Sequence, residues 1–274
     1  MKKISLNDQK LCLVDMLNYI SNICEKNNIK YSLIGGSLIG SIRHKGIIPW
    51  DDDIDIILMP EEYKKLLKIL IKNKSEYKIL IPGKNNSYPY PFCKIYNPKT
   101  VLIEKRQKEF GEYGIYLDIF AYHYISNNKL IQFFHYKMLT FLKILLSASM
   151  LKKEELNNET NCLKRIRNRI SCLIGQEKLI KYYINLCDKK KKKTKYVLSN
   201  WPTYGLKKEI QKSNNFDNYK NVKFENIDAM ITENYDKVLK TTFGDYMKLP
   251  PKEKRVSNHN SIAYWRDDNE KIKK

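Results

Sequence analysis

Apolar residues recur every three or four positions near the start of the chain, and this spacing predicts a helix over about residues 5–27. Ser5, followed by Asp8 three positions later, is typical of a helix start. The buried side of this helix is predicted to contain Leu13, Leu17, Ile20 and Cys24. A further helix is predicted to begin at Pro60, a residue that suits the first helical turn. Its buried side is predicted to contain Leu66, Leu67, Leu70 and Ile71.

Short runs rich in β-branched and aromatic residues separate the helices and predict strands. They cover residues 31–34, 53–58, 77–81, 92–96, 101–104 and 114–121. Between the first two runs, a short helix is expected to begin at Ser37 and to reach about Arg43. Helices and strands in this order indicate an α/β fold in the broad sense, α+β included, with a mixed β-sheet and flanking helices.

The middle of the chain is predicted to be helical from about residue 129 to residue 188. We interpret residues 129–200 as a helical insertion in a single domain that spans residues 1–274. Within it, residues 133–151 are mostly apolar but include His135, Lys137 and Lys143. Their uncharged runs are shorter than the roughly 20 residues that a membrane-spanning helix needs. This stretch is therefore expected to be a half-buried helix or a helix that rests on a membrane surface.

Positive charge dominates the composition. The chain has 51 Lys and Arg against 30 Asp and Glu, for a formal net charge of +21. This excess favours a polyanionic partner, which includes nucleic acid, an anionic membrane face and a phosphate-bearing substrate. A compositional bias without functional meaning is equally open, because lysine and asparagine are abundant throughout. Residues 189–193 are consecutive lysines, typical of a solvated loop or of a phosphate or lipid contact.

Cysteine usage and the amino-terminal sequence favour a cytoplasmic protein. The six cysteines show no CxxC spacing, so neither a zinc site nor a disulfide framework is predicted. The amino-terminal segment lacks the apolar core of a signal peptide, since Asp8 and Asp15 interrupt it. The expected location is the cytoplasm, with a peripheral contact at the inner face of the membrane if the basic surface meets lipid.

Two acids alternate with isoleucines in the second predicted strand. Asp53 and Asp55 flank Ile54, so on a strand both carboxylates point to the same face. Mg²⁺ prefers hard oxygen ligands and leaves places for phosphates, so this pair is a candidate metal site. Asp118, enclosed by apolar strand residues, is a candidate third metal ligand and proton acceptor. The alternatives are a polar strand edge for the pair and an ion-paired structural acid for Asp118.

A glycine pair lies between the first predicted strand and the helix that follows it. Gly35 and Gly36 would let the backbone approach a phosphate closely, and the free N–H groups of a helix start favour an anion. Ser37 adds a hydroxyl donor to the same turn. Glycines needed only for turn geometry explain the pair equally well.

Together these motifs resemble the signature of the LicD family, which includes lipopolysaccharide choline phosphotransferases and is related to fukutin and fukutin-related protein. The similar segment is GGSLIGSIRHKGIIPWDDDIDI at residues 35–56. It continues at residues 116–120, 235–239 and 243–251 and at His259, so the resemblance covers about residues 29–265. It departs from the family in lacking a proline ahead of Tyr235 and the cysteine-rich zinc module of the fukutin-related relatives.

The resemblance implies a nucleotidyltransferase fold and Mg²⁺-dependent transfer of a phospho-alcohol from a CDP-linked donor, with release of CMP. The acceptor it implies is a hydroxyl of a cell-surface glycan or glycolipid. Choline is the expected alcohol, with glycerol and ribitol as alternatives. By the same resemblance, Asp53, Asp55 and Asp118 are the metal-binding and catalytic acids.

The resemblance also implies residues that bind substrate. Arg43 and His44 match a basic pair that would hold the donor phosphates. Lys94 matches a basic strand position, although a surface lysine with its stem lying along the protein fits equally well. His259 completes the set, together with the turn at Gly35, Gly36 and Ser37.

Two other functions remain open from the residues. An enzyme of the same fold that acts on a nucleotide or nucleic acid would suit the net charge, although nucleic acid is the less favoured partner. A non-catalytic basic module that binds RNA or an anionic membrane is the second alternative, and it leaves the acid cluster unexplained.

Overall fold

Helices and strands follow one another along the chain as the apolar pattern predicts. The computed structural model describes residues 1–73, 75–84, 88–104, 113–151, 159–189, 192–257 and 261–267. The helices in these ranges are α1 (Leu6–Lys26), α2 (Gly35–Arg43), α3 (Pro60–Lys72), α4 (Lys129–Ser149), α5 (Cys162–Ile174), α6 (Gln176–Asp188), α7 (Leu206–Glu209) and α8 (Tyr235–Phe243). Short 3₁₀ turns cover Ser213–Phe216 and Lys252–Lys254.

The strands form one large and two small sheets. They are β1 (Ser32–Leu33), β2 (Asp55–Leu58), β3 (Lys78–Leu80), β4 (Cys93–Tyr96), β5 (Thr100–Glu104), β6 (Tyr116–Ile125), β7 (Tyr196–Ser199), β8 (Gln211–Lys212), β9 (Tyr219–Phe224), β10 (Ile227–Thr232) and β11 (Ser261–Trp265). The small sheets pair β9 with β10 and β5 with β11.

Strand β6 is the centre of the large sheet. The sheet runs β1-β2-β6-β4-β3, and β7 and β8 extend it from the second half of β6. Strand β2 is parallel to β6, whereas β4 and β7 are antiparallel to it. The predicted mixed sheet with flanking helices is therefore confirmed.

Two apolar cores hold the helices to the sheet. The main core contains the buried side of α1, where Leu13, Leu17, Ile20 and Cys24 are all fully enclosed, as predicted. Ser5 caps this helix by accepting a hydrogen bond from the Asp8 backbone N–H at 3.1 Å. The second core joins α4 and α6 to the far end of β6 through Ile125 and to β7 through Leu198. We call the three helices α4, α5 and α6 the helical lobe.

Several element boundaries differ from the prediction. Helix α2 begins at Gly35 rather than at Ser37, and β2 begins only at Asp55, so Asp53 precedes the strand. In α3, which starts at Pro60 as predicted, Ile71 is 46% exposed rather than buried. Within the described residues of the stretch 129–200, helices cover Lys129–Ser149, Cys162–Ile174 and Gln176–Asp188, and the following β7 pairs with β6 and belongs to the sheet. The assignment of the whole chain to one domain remains a prediction.

In the described part of the chain, no helix combines the length and the apolar character needed to cross a membrane. Helix α4 covers most of residues 133–151 and buries one side, with Leu139, Leu145 and Leu146 in the second core. Helix α4 is therefore half-buried, and a contact of its exposed side with a membrane surface remains a prediction.

The loop of residues 44–54 folds back along α2 and is held from three sides. The Gly46 carbonyl lies where a Cβ on Gly40 would be, so only glycine at position 40 allows the approach. Glu225 accepts a hydrogen bond from the Ile47 N–H at 2.9 Å. From α1, Gln9 donates to the Asp52 carbonyl at 2.9 Å and Lys10 to the Pro49 carbonyl at 2.8 Å.

Gly40→Ala is expected to destabilise the protein by about 1–3 kcal/mol, because the added methyl group meets a backbone carbonyl that cannot rotate away. The gain of roughly 1 kcal/mol in helix propensity does not offset this clash. The measurement is the free energy of unfolding in urea.

Gly36→Ala in the same helix is the matched control. Its Cβ would lie 2.6 Å from Asp51 Oδ2, the end of a side chain that can turn aside. A smaller loss is therefore expected, and equal losses in the two variants would contradict the proposed backbone clash.

Candidate active site

Three charged side chains lie side by side on neighbouring strands of the large sheet, near the amino-terminal ends of β2 and β6. Asp55 of β2 pairs in register with Asp118 of β6, and Asp118 pairs with Lys94 of β4. Side chains at paired positions point to the same face of a sheet, so the three groups are neighbours. The Lys94 ammonium donates to Asp118 Oδ1 at 2.6 Å.

The Lys94–Asp118 ion pair is largely removed from water. The side chains of Lys94 and Asp118 are 4% and 13% exposed, and the Lys94 ammonium lies 3.4 Å from the centre of the Tyr116 ring. Lys94 is therefore not a surface lysine, one of the two readings open from sequence. A buried pair of this kind is costly to break, since the remaining charge is left without its partner.

Asp55 is positioned by the helix that precedes its strand. The Asp55 N–H donates to Ser37 Oγ at 2.9 Å, and the Ile34 N–H donates to the Asp55 carbonyl at 3.1 Å. Gly35, with φ of +59°, lies against the Asp55 carboxylate at the start of α2. Ser37 is thus a buried link between α2 and β2, and its predicted contact with substrate remains a prediction.

A second group of acids lies next to this row. Asp51, Asp52 and Asp53 offer carboxylate oxygens that all lie within 4.8 Å of one another, a spacing that could hold a metal ion. In the described residues this compact set differs from the trio Asp53, Asp55 and Asp118 expected from sequence. Asp53 lies in the loop just before β2, and its charge still acts on Asp55. The absence of a side chain at Gly36 makes room for the Asp51 carboxylate.

Asp55 is the residue on which the charges of both groups act. Its pKa is raised well above the usual range, first by burial and then by the negative charges of Asp53 and Asp118, with Asp51 adding to the effect. Lys94 opposes the shift only in part. A cation near Asp55 would relieve this repulsion, and carboxylate oxygens are the donors that Mg²⁺ prefers.

The basic pair lies at the other end of α2. Arg43 ends the helix that Gly35 begins, and it donates to the Tyr246 carbonyl at 2.7 Å and to His44 Nε2 at 3.0 Å. The pKa of His44 is lowered, first by burial and then by the Arg43 charge, so His44 is neutral near pH 7. The predicted role of both residues with donor phosphates remains a prediction.

Two predicted positions lie outside the described residues. His259 falls in the gap at residues 258–260, and residues 190–191 of the lysine run fall in another gap.

A cavity of about 110 Å³ opens beside Asp55 and was not predicted from the sequence. Its aromatic lining consists of Phe120, Tyr122, Trp201, Tyr204 and Phe243. Gly35 also lines it, as do the exposed Lys208 and the buried Glu209. The aromatic segment 201–204, directly after a strand-like run, could have indicated the cavity. Its distance in sequence from the acids gave no reason to place it beside them.

Glu209 shapes the loop that closes this cavity. Its carboxylate accepts hydrogen bonds from the backbone N–H groups of both Thr203 and Tyr204. Burial raises the pKa of Glu209, whereas these two hydrogen bonds and the nearby Lys143 favour the charged form. Tyr204 packs edge to face on Phe243 at 5.0 Å between ring centres. The pKa of Tyr204 is raised to about 12, first by burial and then by the charge of Asp55.

Comparison with known proteins agrees with the sequence motifs. Residues 28–146 match the family model described as LicD/FKTN/FKRP, nucleotidyltransferase domain. The lipopolysaccharide cholinephosphotransferase LicD of Haemophilus influenzae is 32% identical over 274 residues, which cover 96% of this chain and 99% of that protein.

Shorter matches point the same way. The ribitol 5-phosphate transferase FKRP of Homo sapiens is 40% identical over 50 residues, which cover 18% of this chain and 10% of that protein. An uncharacterized protein of Rickettsia prowazekii, RP689, is 33% identical over 140 residues, half of each chain. Since the match to the Haemophilus protein extends over nearly the whole length of both chains, this protein belongs to the LicD family.

Proposed function

We propose that the protein is a Mg²⁺-dependent phosphotransferase that moves phosphocholine from CDP-choline to a hydroxyl of a cell-surface glycan or glycolipid, releasing CMP. The observation that carries the proposal is the register of Asp55 with Asp118, which puts two acids side by side next to an aromatic cavity. The names of the Haemophilus relative and of FKRP support transfer of a phospho-alcohol. A glycolipid acceptor would also require the enzyme to work at an anionic membrane surface.

The acids fit the Mg²⁺ ion that this reaction needs. Asp53, Asp55 and Asp118 would hold it, with Asp51 and Asp52 as further oxygen donors beside Asp53. When bound, Mg²⁺ would neutralise the donor diphosphate and stabilise the charge on the departing oxygen.

The remaining work falls to side chains of the chain itself. The acceptor oxygen attacks the phosphorus that carries the alcohol, the bond from that phosphorus to the CMP oxygen breaks, and the acceptor proton passes to Asp118. Lys94 holds the Asp118 carboxylate in place through their ion pair. Ser37 and Gly35 fix Asp55, so the acids are positioned before substrate arrives.

The lining of the cavity supports choline as the alcohol. Aromatic faces attract a quaternary ammonium ion, and the Glu209 carboxylate adds a negative charge that a neutral glycerol or ribitol would not use. Asp55 lies in the same lining as the aromatic rings, which supports a single site for the ammonium and phosphate groups of one small donor.

Asp53→Asn is expected to lower the rate of CMP release from CDP-choline by about 10²- to 10³-fold, because one charged oxygen donor is lost. CMP is measured by chromatography in reactions that contain Mg²⁺ and a lipopolysaccharide extract as acceptor. Asp228→Asn is the matched control, since Asp228 lies on β10 and pairs with Lys223 at 3.0 Å at the surface.

Parallel reactions with CTP and an RNA oligomer test the alternative enzyme. Nucleotide addition to RNA without CMP release from CDP-choline would contradict the proposal, as would full activity of the Asp53→Asn variant at saturating Mg²⁺.

Asp55→Asn is expected to raise the stability of the protein in EDTA at neutral pH by on the order of 1 kcal/mol, because it removes a buried charge repelled by its neighbours. A raised folded-state pKa means that ionisation destabilises the fold. The stability gained by Asp55→Asn is therefore absent below the unfolded-state pKa of Asp55. It grows as the pH rises towards the folded-state pKa of this residue.

Addition of Mg²⁺ should make the wild type more stable than the Asp55→Asn variant. Thermal unfolding of the wild type should shift to higher temperature on addition of Mg²⁺, while the Asp55→Asn variant should respond weakly. A wild-type melting temperature that is indifferent to Mg²⁺ would contradict the metal assignment without reference to turnover.

Tyr204→Leu is expected to raise KM for CDP-choline roughly 2- to 5-fold, which corresponds to the loss of one cation–π contact with a half-exposed ring. KM for CDP-glycerol should change little, because glycerol carries no positive charge. Tyr182→Leu is the control, since Tyr182 lies on α6 with a similar exposure and is not among the residues that line the cavity. An equal rise for both donors would instead locate the cytidine group in this cavity.

A further inference from the structure

Helix α5 buries polar residues and exposes aliphatic ones, which reverses the usual arrangement of a helix at the surface of a protein. Among its 13 residues the buried positions are polar, namely Asn168 and Ser171. Its aliphatic residues recur at helical spacing on the solvent side, where Leu163 and Leu173 are 78% and 84% exposed. Ile166 and Ile170, at 50% and 39% exposure, continue the same stripe. We call these four residues the outer stripe of α5.

The polar side of α5 is the one fixed to the protein. Ser171 Oγ donates to the Leu145 carbonyl of α4 at 2.8 Å, which anchors α5 on its neighbour. A rotation that buried the outer stripe would therefore break this contact. The outward direction of the aliphatic residues is a consequence of specific packing.

The neighbouring helix also exposes apolar side chains. On α4, Phe134, Met138 and Phe141 are 62%, 51% and 52% exposed and follow each other at intervals of four and three residues. The same helix buries Leu139, Leu145 and Leu146 against the second core. Exposed aromatic and aliphatic groups therefore occur on two contacting helices, and extended exposed apolar surfaces are typical of interaction sites.

Basic residues accompany these apolar groups. Helix α5 contains Lys164, Arg165, Arg167 and Arg169, and α4 contains Lys129, Lys137 and Lys143, while neither helix contains an Asp or Glu. Lys143 is directed to the loop after β7, where it donates to the Pro202 carbonyl at 2.7 Å. Arg165 and Arg169 are exposed. Lys164 is 3.7 Å from Glu159, just before the helix.

We propose that the outer stripe of α5, together with the exposed apolar side of α4, docks the protein on an anionic lipid bilayer. Apolar residues between arginines are the pattern of a helix that lies in the interface, with its aliphatic groups among the acyl chains and its cations at the lipid phosphates. A second copy of this chain fits poorly, because a two-fold symmetric contact through the outer stripe would bring the exposed Arg165 and Arg169 of the two copies close together. The inference does not depend on the proposed chemistry.

Sedimentation of the full chain with vesicles tests the proposal. Binding is expected to phosphatidylcholine vesicles that contain phosphatidylglycerol, and much less to phosphatidylcholine alone. The double variant Leu163→Gln/Leu173→Gln should bind the anionic vesicles at least about tenfold more weakly, because two nearly fully exposed side chains no longer enter the acyl region. Arg165→Gln/Arg169→Gln should lose roughly tenfold and show a weaker dependence on salt.

Leu11→Gln is the matched control, since Leu11 is 64% exposed on α1, away from the lobe. It should bind as the wild type does, and circular dichroism should show all variants folded. The proposal is overturned if the wild type ignores anionic vesicles, or if Leu11→Gln weakens binding as much as the stripe variant. It is also overturned if the wild type is a dimer that the stripe variant dissociates.

Discussion

Crowded negative charge at the start of two parallel strands is the constraint on which this structure depends. The pairing of β2 with β6 puts Asp55 beside Asp118, and the loop before β2 adds Asp51, Asp52 and Asp53. Such a group repels itself, and burial of Asp55 strengthens the repulsion. The fold tolerates this cost because Lys94 neutralises part of the charge and because rigid neighbours prevent the acids from moving apart.

The restraint on the acid loop comes from distant parts of the sequence. Helix α1 holds it through Gln9 and Lys10, and Glu225, in the turn between β9 and β10, binds the Ile47 N–H. Glycines at positions 36 and 40 let the loop lie directly on α2. Side chains held in place before the ligand arrives need little reorganisation when a cation or diphosphate binds, and this suits electrostatic catalysis.

The sequence predicted the local elements and part of the site. Periodicity identified α1, α3 and the strand-like runs, and acids within apolar runs marked Asp55 and Asp118. Register could not be predicted, because the pairing of residue 55 with residue 118 depends on the whole sheet. For the same reason the burial of Lys94 and the aromatic cavity were missed, since Lys94 pairs with an acid on another strand and the cavity lining is drawn from segments as distant in sequence as Gly35 and Phe243. The polar interior side of α5 likewise depends on its contact with α4.

The helical lobe and the paired acids are associated with different halves of β6. Asp118 lies in the first half, which pairs with β2 and β4, whereas the lobe is joined to the second half and to β7. The contacts of the lobe are therefore separate from the register that aligns the acids, but not from the cavity, because Lys143 of α4 donates to the Pro202 carbonyl at 2.7 Å and Tyr183 of α6 packs on Trp201. A change in the packing of the lobe would thus reach the cavity before it reached the paired acids.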